Sequence, residues 1–280
     1  MPNPLPDAAL YGTIQGLIQQ IRRSPDLDRP VLLTEGDSWF SFPLHSNVID
    51  HLRRFGQFSV LRLEKSGDEL LRMLGDRPLR KLSGHLRRTY VRRFGRAYRA
   101  QALLLSGGGN DILAPHQLAV LLRSNATGNQ PTDFIEVDRV RTTTMPQLKA
   151  AFENLCNVRD DHNADCVIYT HGYDYAIPGD RPIRILWGLK EIGPWMHKVM
   201  NGSFDDQIFV PEEHRAGVAR WLVDEFNTTL QSIDRDKFVV VDVRGRVDKW
   251  ADEIHPRSTG FEEVARAFEA ALKVQFPDHF

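Results

Sequence analysis

A serine, an aspartate and a histidine in this chain have the residue types and spacing that nucleophilic catalysis requires. Ser38 follows an apolar run in the stretch PVLLTEGDSWFSFP, and Asp252 and His255 stand three residues apart much later in the chain. A serine hydroxyl is a poor nucleophile unless a base takes its proton, and the base works best when a third group fixes its tautomer. A turn or helix start at 252–255 would place the carboxylate and the imidazole on one side. The three residues therefore predict a nucleophile, an orienting acid and a base.

The chain also contains candidate donors for the oxyanion that develops during acyl transfer. Such an intermediate is stabilised by N–H groups that point at the negative oxygen. The backbone N–H groups of Ser38 and Gly67 and the side-chain amide of Asn110 are three candidates. The run Gly107-Gly108-Gly109 precedes Asn110, and residues without a Cβ let the backbone pass close to a site. These segments therefore predict an oxyanion hole that includes the Ser38 amide.

Apolar runs that alternate with helical patterns predict the scaffold for these residues. Nearly continuous Val, Ile and Leu runs separated by helices are typical of a parallel sheet that is covered on both faces. The predicted strands are 30–35, 58–64, 101–107, 166–172 and 237–243. The predicted helices are 45–55, 68–99 with breaks near 75–78, 113–123, 145–159, 211–233 and 258–275. Ligands bind outside the carboxyl ends of parallel strands, and each candidate residue follows such an end.

The sequence predicts a single α/β domain over residues 1–280. No linker rich in Pro, Gly or Ser and no internal repeat divides the chain. A helix at about 7–23, capped by Asp7, is expected before the first strand, because its apolar residues share one face. Residues at about 176–210 fit the alternation poorly and predict a cap-like insertion.

The candidate segments together resemble the four sequence blocks of the SGNH (GDSL-type) serine hydrolase and esterase superfamily. The matching residues are Gly36-Asp37-Ser38, Gly67, Gly108-x-Asn110-Asp111 and Asp252-x-x-His255-Pro256. The resemblance spans residues 30 to about 270. It implies a flavodoxin-like, three-layer α/β/α sandwich around a parallel five-stranded sheet.

The same resemblance implies an activity and a role for each residue. Members of the superfamily are esterases, lipases, thioesterases and carbohydrate acetylesterases. Ser38 would be the nucleophile, His255 the base and Asp252 the acid that orients the base. Ser38, Gly67 and Asn110 would form the oxyanion hole. The implied reaction is hydrolysis of a carboxylic ester or thioester through an acyl-enzyme, with no metal and no organic cofactor.

Aromatic and polar residues near the strand ends and in the insertion are candidates to line a substrate pocket. They are Asp37, Trp39, His171, Tyr173, Trp187 and Trp195. Asp37 is expected to stabilise the turn at Ser38 and not to act as the catalytic acid. The apolar residues of the insertion would either hold an acyl chain or a sugar face, or pack the insertion onto the domain. The sequence leaves both alternatives open.

The charge balance argues against a nucleic-acid ligand, and the resemblance to the esterases implies a small-molecule ester as the partner. The 36 Lys and Arg residues nearly match the 37 Asp and Glu residues, whereas a nucleic-acid binder is normally far more basic. The expected substrate is an acyl ester, an acylated sugar or a lipid. The alternative is a non-catalytic protein that binds a phosphate-containing or nucleic-acid ligand. It would use the Gly107–Asn110 loop and a basic helix at 80–99, which holds eight Lys or Arg residues.

Motifs for metal binding and for targeting are not evident in the sequence. His162, His171 and Asp174 lack the spacing of a metal site, so no metal is expected. The N-terminal segment lacks a basic region followed by a continuous apolar run, and no segment approaches the ~20 apolar residues of a membrane span. We therefore expect a cytoplasmic protein, with non-classical export left open.

Overall fold

A six-stranded parallel sheet organises the fold. The computed structural model describes residues 9–23, 29–93, 96–185 and 190–280. In chain order the strands are β1 (Ala9–Tyr11), β2 (Val31–Gly36), β3 (Ser59–Arg62), β4 (Val91–Arg93), β5 (Arg96–Tyr98), β6 (Ala100–Ser106), β7 (Val167–His171), β8 (Ile183–Ile185), β9 (Lys190–Ile192) and β10 (Phe238–Val241). The central sheet has the spatial order β1-β3-β2-β6-β7-β10, and each neighbouring pair is parallel.

Helices cover both faces of this sheet. In chain order they are α1 (Ile14–Arg23), α2 (Ser38–Ser41), α3 (Val48–Leu52), α4 (Leu70–Met73), α5 (Asp76–Leu86), α6 (Gly109–Leu113), α7 (Pro115–Leu121), α8 (Val137–Arg139), α9 (Met145–Asn163), α10 (Met196–Met200), α11 (Glu212–Gln231) and α12 (Ser258–Gln275). Single 3₁₀ turns lie at Pro131–Phe134 and Pro277–His279, and a π-helical turn at Val140–Thr144 leads into α9.

Strand β2 shows how the layers are arranged. Successive residues of a strand point to opposite faces of the sheet. Thr34 shares a small cavity with Ile49 of α3, whereas Glu35 lines a cleft with Leu82 of α5. Helix α3 packs on α12, and α5 packs on α9. The protein is therefore a three-layer α/β structure, as the sequence predicts.

The sheet has one strand more than the five that the sequence predicts. The additional strand β1 pairs with β3 at the sheet edge, with Leu10 opposite Val60. The predicted helix at about 7–23 is therefore too long, since α1 begins at Ile14. Its predicted cap, Asp7, lies outside the described residues. A three-residue strand shows too little alternation to be separated from the apolar face of the helix that follows it.

The predicted basic helix at 80–99 is wrong beyond residue 86. Helix α5 ends at Leu86, and β4 and β5 form an antiparallel hairpin. Aromatic and β-branched residues favour strands, and Tyr90 and Val91, which are of these types, are both buried. The basic residues of this segment therefore do not share one helical face, which removes the surface that the nucleic-acid alternative requires.

The segment 176–210 contains elements that stand outside the central sheet. Strands β8 and β9 form a two-stranded antiparallel sheet of their own. Met196, Val199 and Met200 of α10 are fully buried and belong to the main hydrophobic core. Helix α10 therefore anchors this segment to the rest of the protein, although the single domain over residues 1–280 stays a prediction.

A close approach between two strands fixes where the chain leaves the sheet at Ser38. A Cβ on Gly36, at the end of β2, would lie 2.6 Å from the carbonyl oxygen of Ser106 at the end of β6. The N–H of Asp37 donates to the same carbonyl at 3.0 Å. Only glycine allows this contact, and α2 begins immediately afterwards with Ser38 as its first residue.

Candidate active site

Ser38, His255 and Asp252 lie in a continuous line of hydrogen bonds. The Oγ of Ser38 is 2.8 Å from Nε2 of His255, and Nδ1 of His255 is 2.7 Å from Oδ2 of Asp252. All three residues are buried, although Ser38 begins α2 near the start of the chain and Asp252 and His255 lie in a loop near its end. An ionised Asp252 accepts a hydrogen bond from the Nδ1–H of His255, which leaves Nε2 to accept one from the Ser38 hydroxyl. This arrangement can move a proton from the serine to the imidazole.

Backbone N–H groups hold the Asp252 carboxylate in place. Its Oδ1 accepts from the N–H of Ile254 at 2.8 Å and from the N–H of His255 at 2.7 Å. Burial acts to raise the pKa of Asp252, but the hydrogen bonds from the His255 ring and from these backbone groups outweigh burial and hold the pKa below its ordinary value. Asp252 is therefore ionised at neutral pH and keeps the tautomer of His255 fixed.

Candidate oxyanion donors line one groove together with Ser38. Gly67, Asn110 and His255 border the same groove. The Asn110 amide donates one N–H to the carbonyl of Asp68 at 2.9 Å, which orients the amide and leaves its second N–H for another acceptor. Gly67 has a φ of +82°, a conformation that favours glycine. The groove can therefore present N–H groups to an oxygen placed beside Ser38.

Asp37 lies at the centre of a buried hydrogen-bond network next to Ser38. Its Oδ1 accepts from the Trp39 N–H at 3.0 Å and from the Ser106 hydroxyl at 2.7 Å. Its Oδ2 accepts from the Tyr173 hydroxyl at 2.5 Å, and Nε2 of His171 lies 2.9 Å from the Ser106 hydroxyl. Burial raises the pKa of Asp37 against these hydrogen bonds, and burial lowers the pKa of His171 to about 4. The network holds the turn that presents Ser38.

Two cavities adjoin Ser38. The smaller one has a volume of about 20 Å³ and is bordered by Asp37, Trp39 and Tyr173. The groove has a volume of about 500 Å³, and most of its lining side chains are apolar. Pockets for organic ligands have volumes of roughly 300–1,000 Å³. The groove is therefore large enough for such a ligand, whereas the small cavity is not.

Comparisons with known proteins concern the fold. No curated protein and no protein-family model matches the chain. Among solved structures, phospholipase A1 from Streptomyces albidoflavus NA297 aligns at 13% identity and a TM-score of 0.49, covering 86% of this chain and 99% of that chain. A carbohydrate esterase family 3 protein from Talaromyces cellulolyticus aligns at 12% identity and a TM-score of 0.45, covering 89% and 99%.

The lipase Lip_vut3 from a goat rumen metagenome aligns at a TM-score of 0.50 and 13% identity, covering 86% of this chain and 97% of the lipase. The chain has the SGNH-hydrolase fold. The fold class inferred from the four sequence blocks is therefore confirmed. At this level of identity the likeness concerns the fold alone, so an activity has to be argued from the site.

Within the SGNH-hydrolase fold, most of the predicted site residues surround the groove and the small cavity. These are Asp37, Ser38, Trp39, Gly67, Asn110, Tyr173, Trp195 and His255, whereas Asp252 is buried behind His255 and contacts its Nδ1. His171 is instead fully buried, and its ring stacks on that of Trp39 with the centroids 5.3 Å apart. Trp187 lies outside the described residues.

The apolar residues of the insertion divide between the two predicted alternatives. Ile192 and Trp195 line the groove, and the Trp195 ring lies 6.4 Å from that of His255. Met196, Val199 and Met200 are buried in the core instead. The insertion therefore both packs onto the SGNH-hydrolase fold and supplies one wall of the groove.

Glu253, which lies between Asp252 and Ile254, is not among the site residues that the sequence predicts. It is fully buried, and both of its carboxylate oxygens accept from backbone N–H groups of the insertion. The donors are Gly179 at 3.0 Å, Met196 at 3.0 Å, His197 at 2.8 Å and Trp195. The available signal in the sequence was the additional acidic residue within the block Asp252-x-x-His255.

Ser106, which joins Asp37 to His171, is also absent from the predicted site residues. A small polar residue at the end of the apolar run LLLS is unusual for a buried strand, and this was the available signal. Its hydroxyl is fully buried and contacts both partners. Ser106 therefore belongs to the structure that supports the site, not to its surface.

The described residues contain no group of three or more His, Cys, Asp or Glu side chains placed to hold a metal ion. Asp174, one of the residues considered for such a site, accepts from the backbone N–H groups of Tyr175, Gly245 and Val247, each at 2.7 Å. Its carboxylate therefore ties two loops together. Over the same described part of the chain, no helix is both long enough and apolar enough to cross a membrane.

Proposed function

We propose that this protein is a serine esterase that cleaves a carboxylic ester or thioester. The observation that carries the proposal is the hydrogen-bonded line from Ser38 through His255 to Asp252, with contacts of 2.8 Å and 2.7 Å. A nucleophile within reach of a base, and a base oriented by a carboxylate, is the arrangement that activates a serine hydroxyl. The apolar groove beside Ser38 supplies a place for the substrate.

In the first half of the proposed reaction, Ser38 becomes acylated. His255 Nε2 takes the hydroxyl proton as Oγ attacks the carbonyl carbon. The oxyanion of the tetrahedral intermediate receives hydrogen bonds from the Ser38 and Gly67 N–H groups and the Asn110 amide. His255 then gives its proton to the leaving alcohol or thiol, and the acyl group stays on Ser38.

In the second half, water releases the acyl group. His255 takes a proton from the water as its oxygen attacks the acyl carbon, and the same donors stabilise the second oxyanion. The intermediate collapses, Oγ recovers its proton from His255, and a carboxylic acid leaves. Asp252 remains ionised throughout and stabilises the imidazolium that forms in both halves.

The groove supports a substrate with an apolar acyl or alcohol group. Phe42 and Trp195 border it close to His255, with the Phe42 and His255 ring centroids 4.5 Å apart. Aromatic side chains of this kind bind hydrocarbon chains and also stack on sugar rings. The proposed substrates are therefore acyl esters, lipids and acylated sugars.

Covalent labelling by a fluorophosphonate tests the proposal. We expect the wild-type protein to label at Ser38, identified by peptide mass spectrometry, and the Ser38→Ala variant not to label. His255→Ala should slow ester turnover by about 10³-fold or more, because the serine then lacks its base.

Ser41→Ala is the matched control, since this hydroxyl belongs to the same helix and donates to the Asp37 carbonyl instead of to His255. It should label at the wild-type rate. A folded wild-type protein that fails to label, or that labels at another serine, would sink the proposal.

A further inference from the structure

A second cleft lies on the other side of the segment 65–69 from the groove. It has a volume of about 580 Å³ and is bordered by the end of β2, by α4 and by α5. Lys65 and Asp68 face this cleft, whereas Ser66, Gly67 and Glu69 face the groove. The segment that contains a candidate oxyanion donor is therefore a wall between two separate cavities.

Basic side chains from one loop and two helices line this cleft. Lys65 follows β3, Arg72 comes from α4, and Arg77 and Lys81 come from α5. Among the described residues, Lys65 has a distant ion pair with Asp68 at 3.9 Å, and the other three cations have no carboxylate within 4.0 Å. These four cations outnumber the two carboxylates that line the cleft, Glu35 and Asp68, and an excess of positive charge around a concave surface attracts anions.

The spacing on α5 shows that the charges share one face. Arg77, Lys81 and His85 are four residues apart along the helix, so their side chains stack above one another and all line the cleft. Like charges at this spacing repel each other and weaken a helix. A bound anion would relieve the repulsion between Arg77 and Lys81.

His85 adds a buried hydrogen-bonding group to the cleft wall. It is 6% exposed, and its Nδ1 is buried with no hydrogen-bond partner among the described residues. Burial lowers the pKa of His85, and the neighbouring Lys81 and Arg88 lower it further, so the ring is neutral at physiological pH. A neutral imidazole can donate one hydrogen bond to an anionic oxygen.

We propose that this cleft binds a soluble phosphorylated small molecule with two or more negative charges. Guanidinium groups match phosphate oxygens in pairs, and lysine ammonium groups supply additional charge. A ligand with a single carboxylate could pair with only one or two of the four cations, so a ligand with more negative charge fits better. The cleft also has the size of an organic-ligand pocket. The site lies outside the ester-binding groove and does not depend on the proposed esterase activity.

Calorimetric titration of the whole chain with inorganic pyrophosphate at low ionic strength tests this site. We expect one pyrophosphate per chain. The double variant Arg77→Ala/Lys81→Ala should weaken binding by about tenfold or more, because it removes two charge-assisted contacts. The matched control is Arg80→Ala/Arg87→Ala, which removes the same charge from two exposed residues outside the cleft, one on α5 and one directly after it, and should weaken binding by about twofold at most.

A variant that binds more tightly than the wild type cannot be explained by loss of folding. Glu35 and Asp68 are the two half-buried carboxylates of the cleft, and Glu35→Gln should tighten pyrophosphate binding by about twofold or more, since a like charge is removed. Each variant should give the far-UV circular dichroism spectrum of the wild type, which shows that it is folded whether or not Ser38 is catalytic. No binding by the wild type, or an equal loss in both double variants, would overturn the proposal.

Vesicles separate a soluble ligand from a lipid headgroup. Phosphatidic acid presents the same phosphate chemistry on a surface, so we would compare sedimentation with phosphatidylcholine vesicles that contain or lack it. We expect pyrophosphate binding without vesicle binding through this cleft. Vesicle binding that Arg77→Ala/Lys81→Ala abolishes, without pyrophosphate binding, would assign the cleft to a lipid headgroup and overturn the soluble-ligand proposal.

Discussion

At the scale of single residues, the position of Ser38 depends on its neighbour Asp37. The Asp37 side chain accepts the Trp39 N–H at the start of α2 and also the hydroxyl groups of Ser106 and Tyr173. These hydrogen bonds tie the helix start to β6 and to the chain after β7. Ser38 is thus presented at a fixed place although α2 has only four residues.

We expect Asp37→Ala to destabilise the protein by about 3 kcal/mol or more, because it removes a helix cap and leaves two buried hydroxyl groups without an acceptor. Tyr173→Phe is the comparison, since it removes one hydroxyl and leaves Asp37 two hydrogen bonds, and it should cost about 1 kcal/mol. Urea denaturation measures both free energies of unfolding. A cost below that of Tyr173→Phe would contradict the central place of Asp37.

At the scale of elements, Glu253 joins the loop of the candidate base to the insertion. Its Oε1 accepts from Gly179 and His197, and its Oε2 accepts from Trp195 and Met196. Burial raises the pKa of Glu253 although these four backbone N–H groups act to lower it. The groove wall that contains Trp195 is therefore attached to the loop of Asp252 and His255 through one carboxylate.

We expect Glu253→Gln to loosen this wall, because the amide NH₂ would face backbone donors where the carboxylate oxygen accepted them. The unpaired N–H groups should cost about 2 kcal/mol or more in the free energy of unfolding. Hydrogen exchange should increase over residues 176–200, and hydrolysis of long acyl esters should fall more than that of acetyl esters. The control is Glu69→Gln, which removes a groove carboxylate that accepts no cap hydrogen bond from the backbone of α4. It should change neither the hydrogen exchange of residues 176–200 nor the preference for acyl-chain length. Equal hydrogen exchange in the two variants would exclude the anchoring role of Glu253.

Features that depend on neighbouring residues could be predicted from the sequence, whereas features that depend on distant contacts could not. The five main strands and the residues Ser38, Asp252 and His255 were visible, because apolar runs and short motifs are local patterns. The edge strand β1 was not, since its partner β3 lies about fifty residues away, and the hairpin β4–β5 was not, because three-residue strands show too little alternation to be told from a helix. The role of Glu253 and the basic cleft were invisible, because their partners come from distant segments.

At the scale of the whole molecule, the near balance of charge conceals an uneven distribution. The formal net charge is −1, yet Arg72, Arg77 and Lys81 collect around one cleft. Glu35 lies at the carboxyl end of β2 beside them. Burial raises the pKa of Glu35 to about 7, and the nearby Glu64 and Asp68 act in the same direction. Ionisation of this residue therefore links the cleft to the pH dependence of folding.

The sign of that dependence follows from proton binding. Between the ordinary Glu pKa of about 4.5 and the folded value of about 7, the native state binds more protons at Glu35 than the unfolded state does. Stability contributed at this position therefore falls as pH rises through that window. The Glu35→Gln variant has no carboxyl group to titrate at this position. Its free energy of unfolding, relative to that of the wild type, should therefore increase by at most about 3 kcal/mol between pH 4.5 and 8. Urea denaturation across this range measures the difference, with the exposed Glu263→Gln as a control that should show none. A constant difference between Glu35→Gln and the wild type would mean that Glu35 ionises normally in the folded protein.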